Sequence, residues 1–203
     1  IPAALAKGAV AVLCDHPPAE PGPWLVSPTP RAAFGQMAAN WFGRPGDRMT
    51  LVGVTGTNGK TTTTYLLKTV LEGVLGAKVG LIGTNQDLIG DEVVPTERTT
   101  PESLELQELF ARMRSAGCTH VVMEVSSHAL AQSRVEGLTF QAGVFTNLTQ
   151  DHLDFHKTME DMLTTLTFGQ GNDVTRSGQD SCPSSAVTLM TFHASKGLEF
   201  PTV

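Results

Sequence analysis

From Met49 onward, short apolar runs alternate with longer stretches in which apolar residues recur every three or four positions. The runs Met49 to Val54, Lys78 to Ile82, His120 to Val125 and Ala142 to Thr146 have the length of strands, and the stretches Thr61 to Leu75 and Glu102 to Ala116 have helical spacing. Leu106, Leu109, Phe110 and Met113 form one helical stripe, with Thr100 as the predicted N-cap, Pro101 at the first helical position and Gly117 past the end. Such alternation predicts an α/β fold with a mostly parallel sheet and helices on both faces. In sheets of this kind ligands collect beyond the carboxyl ends of the strands. That rule singles out four segments: the loop after Val54, the loop after Ile82, Glu124 to His128, and Asn147 to His156.

Upstream the pattern is less regular. Ala3 to Cys14 reads as a short helix leading into a strand, Ala9 to Leu13, and six of the twelve prolines then crowd between Pro17 and Pro30, as in a linker or irregular surface segment. Phe34, Met37, Ala38, Trp41 and Phe42 would form one apolar helix face, ended by Gly43 and Pro45.

Composition narrows the class without naming a chemistry. With 203 residues, 40% hydrophobic and 17% charged, the chain is ordinary globular material able to bury a core. A net charge of −6 argues against broad contact with a nucleic-acid backbone. Cys14, Cys118 and Cys182 are far apart and lack Cys-x-x-Cys spacing, so neither a disulfide framework nor a zinc site is expected, and a cytoplasmic location fits. No apolar run reaches the ~18 residues that would span a bilayer. The chain starts at Ile1 without Met, so an upstream piece is expected.

The strongest chemical signal is Gly53-Val54-Thr55-Gly56-Thr57-Asn58-Gly59-Lys60-Thr61, lying between an apolar strand and a helical stretch. Glycines there let the backbone turn tightly toward an anion, the helix start adds a favourable dipole, Lys60 supplies charge for terminal phosphates and Thr61 a hydroxyl for magnesium. The strict phosphate-loop spacing fails, because Val54 stands where the first glycine would be, but the mechanism does not depend on that position.

Two further segments carry ligand-type residues. Glu124 closes an apolar strand, where its carboxylate could hold magnesium or simply be a solvated strand-end acid. Val125-Ser126-Ser127-His128 after it is equally compatible with a helix cap. Asp151-His152-Leu153-Asp154-Phe155-His156 packs two histidines and two carboxylates into six residues. On spacing alone it could serve metal or phosphate chemistry, or be a capped helix with surface histidines.

Taken together, Gly56 to Thr63, Thr99-Thr100-Pro101, Glu124 to Leu130 and Thr146 to Asp154 resemble the Mur ligase family, most closely its tripeptide-forming members. The resemblance runs from about the first residue to around Met162. It implies an ATP-dependent amide ligase of peptidoglycan precursor synthesis, which activates UDP-MurNAc-L-Ala-D-Glu as an acyl phosphate and adds a diamino acid. By motif, Gly56, Thr57, Asn58, Gly59, Lys60, Thr61 and Thr62 would bind ATP, with Thr61, Glu124 and His152 as Mg2+ ligands and Lys60, Glu124 and His152 catalytic. Thr99, Thr100, Ser126, Gln132 and Arg134 would grip the UDP-sugar dipeptide, Arg134 through its anionic groups. A cytoplasmic monomer with small-molecule partners is expected, with no membrane and no nucleic acid involved.

The resemblance also has edges. Residues 1–48 match only the end of the family's uridine-binding N-terminal domain, and residues 49–166 a truncated ATP-binding central domain. The lysine that the family carries after the Asp-His-Leu-Asp segment is missing, since no lysine lies between Lys157 and Lys196. From 167 to 203 the chain is loop-like, and Val187 to Phe200 resembles the fifth motif of Rep/UvrD-type DNA helicases. Two basic residues against three acidic ones there leave no DNA-binding footprint. The expectation is a fragment that binds Mg-ATP but is impaired in turnover. A helicase-related chimera and a non-functional chain stay open as alternatives.

Overall fold

The computed structural model of the protein describes residues 2–147. The Asp151–His156 cluster with His152, and the helicase-like segment, lie outside the described residues. Among those described, no helix is long and apolar enough to cross a membrane.

The elements run α1 Pro2–Ala6, β1 Val12–Cys14, β2 Trp24–Val26, α2 Pro30–Trp41, a 3-10 turn Pro45–Arg48, β3 Thr50–Thr55, α3 Lys60–Leu75, β4 Val79–Ile82, β5 Asp87–Ile89, β6 Glu92–Val94, α4 Ser103–Ser115, β7 His120–Glu124, α5 Ser127–Ala131 and β8 Ala142–Phe145. One six-stranded sheet has the order β6-β5-β4-β7-β3-β8. Its four strands β4, β7, β3 and β8 are parallel, while β5 and β6 add antiparallel pairs at one side. The alternating pattern foretells the parallel part. The β5–β6 hairpin, three residues per strand, is too short to give a periodic signal.

Side chains alternate across the sheet, as a pleat requires. Leu51, Val121 and Met123 face a core built with Leu106, Leu109, Phe110 and Met113 of α4. Val54, Val79 and Val122 face the other way, onto Leu67 and Leu71 of α3. Helices therefore cover both faces, as parallel strands need. The α4 stripe is buried as its spacing predicts, but its N-cap is Glu102 rather than Thr100. Glu102 and Glu105 form a reciprocal capping box, and the Thr100 hydroxyl donates instead to the Glu124 carbonyl at 2.9 Å.

Two upstream expectations change. The buried side of α2 is Gly35, Ala38 and Ala39, whereas Phe34, Met37 and Trp41 are exposed. The small residues allow close approach to neighbouring backbone, so size rather than hydrophobicity selects the packed face. The proline-crowded segment contains β2, which pairs in parallel with β1 from Val12↔Trp24 to Cys14↔Val26. Prolines flank that strand without interrupting its ladder.

Asp87 opens β5 and is 4% exposed; its Oδ1 accepts the Gly83 N–H at 3.1 Å, tying the hairpin to the end of β4. Burial raises its carboxyl to about 6 against the lowering effect of hydrogen bonds from Gly83 and Thr96. A carboxyl whose folded pKa lies above its unfolded one binds more protons in the folded state, so its contribution to stability is fullest at low pH and is lost as pH rises through about 4 to 6. Denaturant titrations of the wild type and Asp87→Asn across that window should show the variant without this decline, a difference of up to about 3 kcal/mol. Separately, Phe110→Ala in the fully buried α4 stripe should lower unfolding free energy by about 3–5 kcal/mol, read from urea midpoints.

Candidate nucleotide site at the strand ends

Residues 56–59 link β3 to α3, placing Lys60, Thr61 and Thr62 in the first helical turn. The loop is shaped from the side by the end of β8. Thr57 N–H donates to the Asn147 carbonyl at 2.9 Å, and Asn58 N–H to Asn147 Oδ1 at 3.0 Å. Asn147 Nδ2 in turn donates to the Asn58 carbonyl at 3.1 Å. Gly56, at φ +123°, sits where a Cβ would lie 2.3 Å from Thr146 Oγ1 and 2.7 Å from the Asn147 carbonyl. Only glycine fits between the loop and β8 in that conformation.

With Thr57 and Asn58 turned to Asn147, the N–H groups that point along the helix axis are those of Lys60, Thr61 and Thr62. The helix's own bonding begins later, with the Thr63 N–H donating to the Gly59 carbonyl at 3.0 Å. Lys60 Nζ bends back over the loop, donating to the Gly56 and Thr57 carbonyls at 2.9 Å each. An ammonium has three protons, so one is left for a phosphate oxygen. The buried Thr55 hydroxyl, at the strand end feeding the loop, has no hydrogen-bond partner among the described residues. A cationic tip, aligned helix N–H groups and an unpartnered buried hydroxyl together fit an oxyanion ligand.

Glu124 lies beside this loop because β7 pairs with β3 in the register Val54↔Glu124. It is 1% exposed, which removes the reading of a solvated strand-end acid. A buried carboxylate must be satisfied, and both its oxygens are: Oε1 accepts Thr84 N–H at 3.0 Å and Oε2 accepts the Thr84 hydroxyl at 3.0 Å. Gly83 makes room for it, since a Cβ there would fall 2.5 Å from Oε1. Asn85, next in the same turn, lines a hollow of about 540 Å3 with Thr61, Thr62, Tyr65, Leu66 and Thr69.

The expected substrate-gripping residues also converge. Thr100 Oγ1 accepts the Ser126 N–H at 3.1 Å, and Ser126 caps α5 by accepting the Ala129 N–H at 3.2 Å, so the cap reading of that segment holds alongside its place in the crevice. Arg134, mostly buried, donates through Nη1 to the Thr100 carbonyl at 3.0 Å and through Nη2 to Gln132 Oε1 at 2.6 Å. Its Nε lies 3.0 Å from Glu102 Oε1, and Glu102 Oε2 pairs with Arg31 at 2.7 Å. Thr99 reaches the same region through Thr84, their hydroxyl oxygens 3.0 Å apart. Thr84 and Asn147 are the residues that sequence reasoning missed. Both stand at strand ends in segments marked as candidate sites, but only coordinates reveal what they hold.

Magnesium bound with a nucleotide takes one or two carboxylates plus phosphate oxygens rather than a protein cage. The donor set here suits that mode: Glu124 offers hard oxygens next to the loop, Thr61 a hydroxyl in the first helical turn. Among the described residues no group of three or more His, Cys, Asp and Glu could hold a metal by itself.

Comparison with known proteins agrees with this layout. Residues 54–166 match the Mur ligase middle domain. A "UDP-N-acetylmuramoyl-L-alanyl-D-glutamate--2,6-diaminopimelate ligase" of Caldanaerobacter subterraneus subsp. tengcongensis is 54% identical over 160 residues, which are 78% of this chain and 33% of that protein. The enzyme of the same name from Bacteroides fragilis is 49% identical over 166 residues, 80% of this chain and 34% of that one. A solved structure of such a ligase superposes with a TM-score of 0.68 at 30% identity, covering 81% of this chain and 33% of the other. The chain thus spans about a third of the length of the curated relatives it matches. With the family model matching more than half of its residues, the chain belongs to the Mur ligase family.

Proposed function

We propose that the chain is the nucleotide-binding part of an ATP-dependent carboxylate–amine ligase that adds a diamino acid to UDP-MurNAc-L-Ala-D-Glu in peptidoglycan precursor synthesis. The observation that carries this is the buried Glu124 carboxylate fixed beside a helix-start loop with Lys60 over it. The names of the relatives support diaminopimelate as the diamino acid. Residues 1–48 would then belong to the uridine-binding side, and 49–166 to the ATP-binding domain.

In this reading the first turn of α3 donates N–H groups to the phosphates, Lys60 neutralises their charge, and Thr61 and Glu124 hold magnesium, with His152 as a further ligand. Bound there, magnesium would offset charge on the β- and γ-phosphates. Thr99, Thr100, Ser126, Gln132 and Arg134 orient the acceptor so that its terminal carboxylate faces the γ-phosphate. Transfer of the γ-phosphoryl group to that carboxylate gives an acyl phosphate and releases ADP; the amine of the diamino acid then attacks the acyl carbon, forming the amide as phosphate leaves and the amine loses a proton. Positioning and charge stabilisation dominate such phosphoryl transfer. The fixed orientation of the Glu124 carboxylate, both of whose oxygens accept from Thr84, supports this role.

Calorimetric titration of Mg-ATP tests the proposal. Lys60→Ala, which removes a charge-assisted contact, should weaken binding about 10- to 100-fold without altering the melt. Unchanged affinity would refute the phosphate-loop role. Glu124→Gln can still accept from Thr84 but carries no charge. It should bind ATP equally in magnesium and in EDTA, whereas the wild type should bind more tightly in magnesium.

A further inference from the structure

We infer that Thr84 is a positioning residue that couples the acceptor end of the crevice to the magnesium ligand Glu124, an inference that rests on the roles proposed above for Glu124 and Thr99. The Thr84 hydroxyl has one proton, and it goes to Glu124 Oε2 at 3.0 Å. In its 3.0 Å contact with Thr99, Thr84 can then only accept, so Thr99 is the donor. The result is a directed chain, Thr99 to Thr84 to Glu124.

Both members of the threonine pair therefore act on one acid. Thr99 acts on its carboxylate through Thr84, and Thr100 grips its main-chain carbonyl directly at 2.9 Å. Thr84 is exposed to the crevice and holds nothing else among the described residues, so its placement is not explained by core packing. Chains of hydrogen bonds polarise one another. While Thr99 donates to Thr84, the Thr84 hydroxyl is a stronger donor and draws charge from Oε2. When an acceptor carboxylate takes the Thr99 proton, Thr84 donates more weakly and Oε2 keeps more charge for the cation. Occupancy of the acceptor site would thereby strengthen the metal site, so that the nucleotide is held best when there is a carboxylate to phosphorylate.

A double-mutant cycle on Mg-nucleotide affinity tests this without requiring the acceptor. The probe is the β,γ-methylene analogue of ATP, titrated into the full chain in magnesium and in EDTA. Thr99→Val removes the donor at the head of the chain, as a bound carboxylate would. It should tighten magnesium-dependent binding by up to about fourfold, the scale of a 10–30% change in one hydrogen bond to a charged group, and leave binding in EDTA unchanged. In the Thr84→Val background the same change should do nothing, and in the Thr84→Ser background, which keeps the hydroxyl, the shift should return. An equal shift with and without the Thr84 hydroxyl, or no shift in the wild-type background, overturns the coupling while leaving the nucleotide site intact. Failure of the unsubstituted chain to bind the analogue at all would instead remove the proposed function, and the coupling with it.

Discussion

The candidate site depends on how β8 holds the loop after β3. Three hydrogen bonds join Asn147 to Thr57 and Asn58, and Gly56 passes so close to Thr146 that no side chain fits. A loop of four residues with two glycines has high conformational freedom when isolated. Cross-links to a strand that is itself anchored in register on β3 remove that freedom before any ligand arrives. Binding sites that are ordered in advance lose less affinity to the entropy of ordering. The candidate phosphate loop is thus a joint product of β3, α3 and the residues just after β8, although only the first two carry its motif.

The second fixed point is Glu124. Its position follows from the parallel pairing of β7 with β3, which sets strand ends side by side, and its burial follows from the β4 turn that folds Thr84 over it. The same turn is braced from below by Asp87, which receives the Gly83 N–H. A short antiparallel hairpin at the side of the sheet therefore supports the turn that holds the acid. Arg134, Gln132 and Glu102 provide a comparable frame around Thr100, with charges paired and within hydrogen-bond distance.

Much of this was legible in the residues. Continuous apolar runs place the parallel strands and a period of 3.6 places the α4 stripe, because burial on both sheet faces leaves a strong hydrophobic signal. The expectation of phosphate chemistry at Gly56 to Thr61 rests on residue type and on its place between a strand and a helix. The pattern fails where packing is decided by size or by local hydrogen bonds. On α2 the buried positions are Gly35, Ala38 and Ala39, while Phe34, Met37 and Trp41 stay exposed, and at α4 the capping box of Glu102 and Glu105 displaces Thr100 as the cap. Thr84 and Asn147 are ordinary polar residues whose importance lies in partners 40 and 89 positions away, a distance at which sequence periodicity says nothing.

Asn147, just beyond β8, would give the candidate phosphate loop its binding shape. Calorimetric titration of Mg-ATP into the wild type and Asn147→Ala addresses it directly, with circular dichroism to show that the sheet is retained. The account predicts that the variant keeps its fold and melts cooperatively but binds Mg-ATP about tenfold more weakly, the scale of losing a single pinned hydrogen-bonding side chain. Equal affinity in the two proteins would contradict it, and would mean that the loop takes its shape from its own residues or from the nucleotide.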